Sequence, residues 1–301
     1  MKKILVIGSK GFIGTEAIRY FQSQGYAVTG CDITAGDNST DYFKVESNEP
    51  NYNEIFRQAR PDLCLNASGA ASVPFSFDDP LIDYQLNVIN VFKMLEAIRI
   101  SNPKTIYINI SSAAVYGTPS QLPVSEDADV DPISPYGWHK WQSELACSEY
   151  AKLYGLKTCS MRVFSAYGPG LNKQLFWDLH QKTREGNSIE LLGTGDESRD
   201  YIFVEDLVRA SETIAINAKL QGEVINVATG IETTIRNAAK TFIKTLSWDG
   251  RISFSGIKRM GDPENWCADI SKLEMMGFKP KCSLESGMEV YCKWLQSLQQ
   301  V

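Results

Sequence analysis

Two segments carry the residues best suited to chemistry. One is Ser111-Ser112, closing the β-branched run Ile106-Tyr-Ile-Asn-Ile110; the other is Ser134-Pro-Tyr136-Gly-Trp-His-Lys140. Tyr136 and Lys140 are four apart, so on a helix they stack on one face. A hydroxyl at a strand end, a phenol and an ammonium together suit proton transfer to and from a sugar or alcohol oxygen. Free Tyr titrates near 10, so a tyrosine base at neutral pH needs its pKa lowered by roughly 3, about 4 kcal/mol. A neighbouring ammonium supplies part of that by favouring the phenolate. Tyr and Lys four apart is also a common surface pattern on helices, so the elements around the pair must decide.

Those elements begin at residue 1. Ile4-Leu-Val-Ile7 is a short continuous apolar run, the pattern of a parallel strand buried on both faces. It leads into Gly8-Ser-Lys-Gly11-Phe12-Ile13-Gly14 and a helical stretch to about Gln24. Glycines there let backbone N–H groups approach a pyrophosphate at a helix N-terminus. A second strand, Tyr26 to Asp32, ends in an acid 18 residues beyond Gly14. An acid so placed hydrogen-bonds ribose hydroxyls and repels a 2′-phosphate, favouring NAD over NADP. Strand, glycines, helix, strand and terminal acid in this order predict a dinucleotide site.

Asp62 to Ser68 reads as a further strand whose Ala67 and Ser68 would let a cofactor lie across its end. Tyr84 to Arg99 reads as one long helix, apolar most of the way round, which predicts burial on two sides: the sheet on one, a second subunit or the same chain on the other. A helix over Pro135 to about Tyr154 and a strand over Leu156–Val163 follow. The β-α alternation predicts an α/β fold, a doubly wound parallel (Rossmann) sheet with helices on both faces. Ligands bind beyond the carboxyl ends of such strands, where Ser68, Ser111, Ser112 and Ser165 fall.

The domain expectation is a dinucleotide-binding unit over 1–165, with a returning segment near 200–229 that includes the strand Val224–Ala228. A smaller mixed, mainly substrate-binding unit covers 166–301. Arg199, in a polar glycine-bearing loop, and Arg259, in the turn Lys258-Arg-Met-Gly-Asp-Pro263, suit a diphosphate because the planar guanidinium donates bidentately. A net charge of −6 gives no support to nucleic-acid binding. No segment is long and apolar enough to span a membrane. Seven scattered cysteines without a Cys-x-x-Cys pair argue against a disulfide framework or a metal site and for a reducing cytoplasm. His139 and His180 have no legible partner, and His139 reads as a surface or packing residue.

With these motifs assembled, the chain resembles the NAD-dependent epimerase/dehydratase family of extended short-chain dehydrogenases/reductases, which act on nucleotide sugars. The resemblance rests on Gly8-x-x-Gly11-Phe-Ile-Gly14, Ser111-Ser112-x-x-Val-Tyr-Gly117 and Ser134-Pro-Tyr136-Gly-x-x-Lys140. Tyr84-x-x-Asn87, Arg199-Asp-Tyr and Arg259-x-Gly-Asp-Pro263 add to it. It implies Tyr136 as acid/base, Lys140 lowering its pKa and holding the nicotinamide ribose, Ser112 on the reacting hydroxyl, and Asn87 beside the cofactor. The apolar helix over 84–99 adds the expectation of a homodimer, through the 84–99 and 135–154 helices.

Two departures narrow the chemistry. Ala113-Ala114 replaces the acid pair of the sugar-nucleotide dehydratases, and alanine cannot do acid/base work, so dehydration is not expected. Ser165 replaces an Asn that contacts substrate in many members. A nucleotide-sugar 4-epimerase is the leading expectation, favoured by Asp32. A 4-keto reductase using the same three residues is the alternative, and a non-catalytic dinucleotide-binding regulator is a distant third.

Overall fold

The computed structural model describes residues 1–36, 41–46, 50–257, 261 and 263–298. The first half alternates as the apolar runs predict: β1 (Lys3–Ile7), α1 (Phe12–Ser23), β2 (Ala27–Asp32), β3 (Tyr42–Lys44), α2 (Tyr52–Ala59) and β4 (Leu63–Asn66). Two short helices, α3 (Val73–Asp78) and α4 (Pro80–Tyr84), lead into a π-helical turn at Gln85–Ile89 and then α5 (Asn90–Ser101). Next come β5 (Ile106–Ser112), α6 (Pro135–Tyr154) and β6 (Lys157–Val163). The remainder is β7 (Ser165–Tyr167), α7 (Gln174–Thr183), β8 (Ser188–Leu191), β9 (Ser198–Phe203), α8 (Val204–Asn217), β10 (Gln221–Val227) and β11 (Glu232–Thr234). It ends with α9 (Ile235–Leu246), β12 (Arg251–Phe254), α10 (Ser271–Glu274) and α11 (Leu284–Ser297).

Seven parallel strands form the main sheet in the order β10-β6-β5-β4-β1-β2-β3. The order reverses between β1 and β4, so a crevice opens there at the carboxyl ends of the strands. The two-residue period of β1 explains its continuous apolar run. Ile4 and Val6 face one core with Phe21, Leu207 and Ile214 of α1 and α8, while Leu5 and Ile7 face the other with Phe56, Met94 and Leu95 of α2 and α5. The fold is therefore the doubly wound α/β sheet expected, with two smaller sheets added, β11-β9-β7 and β12-β8. A third core of Tyr167, Phe176, Phe242, Met288 and Tyr291 lies among the later elements.

Three points differ from the expectations or extend them. The helix predicted over 84–99 is not one regular α-helix: a π-turn interrupts it at Gln85–Ile89 and it runs on to Ser101. The extra residue in that turn re-aims the side chains before it relative to those after it, which a 3.6-residue pattern does not register. The strand β3 and the helix α2 escaped the sequence reading. Finally, within the segment near 200–229 the strand expected over Val224–Ala228 does join the main sheet, as β10 on β6, and Leu207 and Ile214 of α8 pack in its core, whereas β9 pairs with β7 and β11.

Candidate active site

The first part of the site is the turn from β1 into α1. Gly8 has φ +80°, and a Cβ there would sit 2.7 Å from the Ala67 carbonyl, so the turn can lie against the end of β4 only with glycine. A Cβ on Gly14 would fall 2.0 Å from Gly8 O, which fixes glycine in the first turn of α1 as well. Gly11 is the N-cap; it offers no side-chain acceptor and the first turn carries no acid. The free N–H groups of that end, those of Phe12 and Ile13 among them, make an anion-seeking helix terminus. Asp32, at the tip of β2, accepts from the backbone N–H of Lys10 at 2.9 Å and of Thr34 at 3.1 Å, which fixes its carboxylate beside the turn. Ala67 and the half-buried Ser68 follow β4; Ser68 Oγ donates to the buried Asn66 Oδ1 at 2.6 Å.

The second part joins β5 to α6. Side chains alternate along β5, so Ser111 and Ser112 part company. Ser111 turns inward and donates to Glu144 at 2.6 Å, whereas Ser112 closes the strand and caps the following turn through Ala114 N–H at 3.1 Å. Ser134 caps α6 by accepting from Gly137 N–H, and Pro135 suits its first turn. That start places Tyr136 and Lys140 on one face, as their spacing predicts, with Lys140 Nζ 5.8 Å from the centre of the Tyr136 ring. Lys140 is buried, and its ammonium donates to Ile110 O of β5 at 2.9 Å.

Burial sets the ionisation of both groups. It pushes the Tyr136 phenol up to about 12; the Ser112 hydroxyl draws it back and the Asp83 charge pushes it further up. It pushes the Lys140 ammonium down to about 8, against Asp83 and Glu144, which favour the charged form. Among the chain's own groups, burial thus outweighs whatever the ammonium does for the phenol.

Asn87 lies in the π-turn, buried, with Nδ2 donating to Ala70 O at 3.2 Å. His139, expected as a surface or packing residue without a legible partner, is a packing residue: it is buried, its Nδ1 2.5 Å from Asp83 Oδ2. Sequence reasoning missed Asp83 entirely. The available signal was its position four residues before Asn87 on the same helical segment.

On the opposite side, Ser165 opens β7, paired with Tyr201 of β9. Arg199 is half-buried, its guanidinium donating to Ser198 O and Glu264 O and stacked over Trp266 at 5.5 Å. Lys173, unremarked in the sequence, reaches across to Ala71 O at 3.2 Å. Arg259 lies outside the described residues.

The donor set fits an extended dinucleotide laid across the strand ends. The uncapped terminus of α1 suits its pyrophosphate and the fixed Asp32 carboxylate its ribose diol. Two buried oxygens near this path, Ser9 Oγ and Asn87 Oδ1, have no partner among the described residues. The UDP-glucose 4-epimerase of Mycolicibacterium smegmatis is 27% identical over 302 residues, covering 95% of this chain and 96% of that protein. The solved UDP-N-acetylglucosamine 4-epimerase of Methanobrevibacter ruminantium superposes with a TM-score of 0.89 at 27% identity, covering 99% of both chains. The UDP-glucuronic acid 4-epimerase of Bacillus cereus, solved with UDP-glucuronic acid and NAD, gives 0.88 at 26% identity, covering 98% of this chain and 99% of that one. The model of the NAD dependent epimerase/dehydratase family matches residues 4–228, and the chain belongs to that family.

Proposed function

We propose that this chain is an NAD-dependent nucleotide-sugar 4-epimerase in which Ser112, Tyr136 and Lys140 are catalytic. The observation that carries the reading is the convergence of these three side chains at the carboxyl end of β5, beside the Gly8–Gly14 turn, with only Ala113 and Ala114 following Ser112. Gly8, Gly11, Phe12, Ile13, Gly14, Asp32, Ala67, Ser68 and Asn87 would hold the cofactor, together with Tyr136 and Lys140. When bound, NAD would supply the hydride acceptor and donor.

The chain's own residues move the proton. Tyr136 takes the proton of the sugar's carbon-4 hydroxyl as carbon 4 becomes a carbonyl, and returns it when that hydroxyl re-forms in the opposite configuration. Ser112 hydrogen-bonds the same oxygen, and Lys140 Nζ, anchored to Ile110 O, stabilises the phenolate as it forms. Excluding water keeps these charges effective. Ser165, Arg199 and Arg259 serve the substrate side, the arginines on the diphosphate. A division into a cofactor unit over 1–165 and a substrate unit over 166–301, with β10 returning to the main sheet, would set the cleft between them. The relatives named above act on UDP-glucose, UDP-N-acetylglucosamine and UDP-glucuronic acid by their names, so a UDP-hexose is the first substrate class to test.

Retention of the cofactor tests the reading, because an epimerase returns it to its starting state whereas a 4-keto reductase must exchange it every turnover. Denaturation of purified protein is expected to release NAD+ at close to one per chain, and the protein should interconvert a UDP-hexose with its 4-epimer without added reductant. An empty site that consumes NADH or NADPH on a 4-keto-6-deoxy sugar nucleotide would replace the reading by the reductase.

A homodimer through the 84–99 and 135–154 segments is part of the same proposal. Much of α5 is covered within the chain by α2 and α6, but Ile89, Trp138, Leu145 and Leu153 remain exposed along the two segments, and Ile100 just beyond the first. Sedimentation is expected to give twice the 33.6 kDa chain mass, and Leu145→Glu to give one chain mass; a native monomer would remove the dimer. Among the described residues no helix is long and apolar enough to cross a membrane. All seven cysteines are free thiols, which supports a cytoplasmic, reducing location.

A further inference from the structure

Asp200, the acid beside Arg199 in the motif Arg199-Asp200-Tyr201, lies on β9 and is fully buried. Side chains alternate along a strand, so Asp200 and Arg199 leave β9 on opposite faces. Asp200 Oδ1 accepts from the Thr229 N–H at 2.8 Å and from the Thr229 hydroxyl at 2.7 Å. Its Oδ2 accepts from the Gly230 N–H at 2.9 Å and the Ala268 N–H at 3.2 Å. A buried carboxylate needs donors to compensate it, and four on two oxygens do so. They specify an acid as well: an amide has one acceptor oxygen, and its NH2 would be turned on two donors.

Those donors belong to two segments. Thr229 and Gly230 follow β10, an edge strand of the main sheet, whereas Ala268 lies between β12 and α10. The stretch leading to Ala268 also surrounds Arg199. Ser198 N–H donates to Glu264 O at 3.2 Å, and Trp266 N–H to Ser198 O at 3.1 Å. The Arg199 guanidinium donates to the same Glu264 O and lies over the Trp266 ring. The Trp266 indole N–H donates in turn to Gly117 O at 3.0 Å, at the end of the turn that follows Ser112. One carboxylate thus joins the main sheet, β9 and the support on which Arg199 rests.

We propose that Asp200 is a positioning residue for the substrate's diphosphate. By tying the 264–268 segment to β9 and to the end of β10, it fixes Trp266 and Glu264 O, and so sets where the Arg199 guanidinium stands relative to Ser112. The strands β6, β5 and β4 separate β10 from β1, so the grip of the Gly8–Gly14 turn on a dinucleotide does not depend on this junction. That Arg199 binds the diphosphate rests on the function reading above; the junction itself does not.

Calorimetric titration of the full chain with UDP reads the diphosphate side without turnover. Asp200→Asn is expected to weaken UDP binding about tenfold. KM for a UDP-hexose should rise in parallel, with kcat changing less and the NAD+ content as in native protein. Arg199→Met should weaken UDP binding at least as much. Because Asp200 acts through Arg199, the double variant should bind UDP no more weakly than Arg199→Met alone. Losses that add in the double variant would make Asp200 a purely structural residue and overturn the proposal. A folded Asp200→Asn protein with native UDP affinity, beside a weakened Arg199→Met, would overturn it too and leave the function reading standing. Native affinity in Arg199→Met would instead remove Arg199 from the diphosphate, and the proposal with it. Should Asp200→Asn fail to fold, Thr229→Val decides, because it removes one of the four donors and leaves the backbone: weaker UDP binding supports the proposal, native affinity overturns it.

Discussion

Tyr136→Phe is expected to lower the turnover of UDP-hexose epimerisation by about 10²–10⁴-fold, the usual contribution of one positioned acid/base. That corresponds to roughly 3–5 kcal/mol of barrier. Neither of the other two residues proposed as catalytic gives as clean a result. Ser112 Oγ also accepts the Ala114 N–H at the start of the turn after β5, so Ser112→Ala disturbs the backbone as well as the chemistry. Lys140 Nζ ties α6 to Ile110 O of β5, so its removal loosens the helix that carries Tyr136. The phenol, by contrast, is half-buried at the cleft and its side-chain hydrogen bond is to Ser112, itself part of the site. Phenylalanine keeps the ring and its packing over Lys140 Nζ. Initial rates by chromatography of the two epimers, beside a thermal melt moved by no more than about 2 °C, give the comparison. Turnover equal to the native rate would end the assignment of Tyr136 as the base.

Arg162→Met is the substitution with the largest expected effect on stability. Arg162, on β6, and Glu144, on α6, are each about 4% exposed. The guanidinium holds the carboxylate through Nε at 3.0 and 3.2 Å and through Nη2 at 2.8 Å. It also lies over the Tyr116 ring at 4.7 Å and donates to Glu126 O. Methionine fills most of the volume but leaves Glu144, among the described residues, with the Ser111 hydroxyl as its hydrogen-bond partner and the more distant Lys140 ammonium, a poorly compensated charge between sheet and helix. Removing one partner of such a pair typically costs about 3–5 kcal/mol. A fall in Tm of roughly 5–10 °C is the corresponding shift for a chain of this size. The double variant Arg162→Met/Glu144→Leu should recover most of the loss, because replacing both ions by apolar groups is often close to neutral. Chemical denaturation of the native, single and double proteins measures this; a single variant as stable as the native chain would mean that Glu144 finds another donor or takes up a proton.

Much of this protein is determined locally and is therefore legible in the sequence. The turn at Gly8–Gly14 is one case: positive φ at Gly8 and the contact of Gly14 with Gly8 O admit only glycine, so chemistry and residue type coincide. The buried strands β1 and β5, the caps Ser134 and Pro135, and the four-residue spacing of Tyr136 and Lys140 are likewise set by short-range rules. The order of β-α units then fixes the parallel sheet and puts the strand ends, with Asp32, Ser68 and Ser112, on one edge.

What the tertiary structure alone decided depends on contacts between residues far apart in the chain. His139 reads as a surface or packing residue without a partner until Asp83, 56 positions earlier, is packed against it. Ser111 and Ser112 look equivalent until the sheet turns one toward Glu144 and leaves the other at the cleft. The π-turn at Gln85–Ile89 carries an apolar pattern like that of any buried helix, because one inserted residue alters direction without altering composition. Three-residue strands such as β3 are too short to show a period, and only pairing with β2 makes Tyr42–Lys44 a strand. The ionisation of Tyr136 and Lys140 belongs here too: spacing brings the two together, but the depth of burial, which no local pattern sets, decides how far each pKa moves.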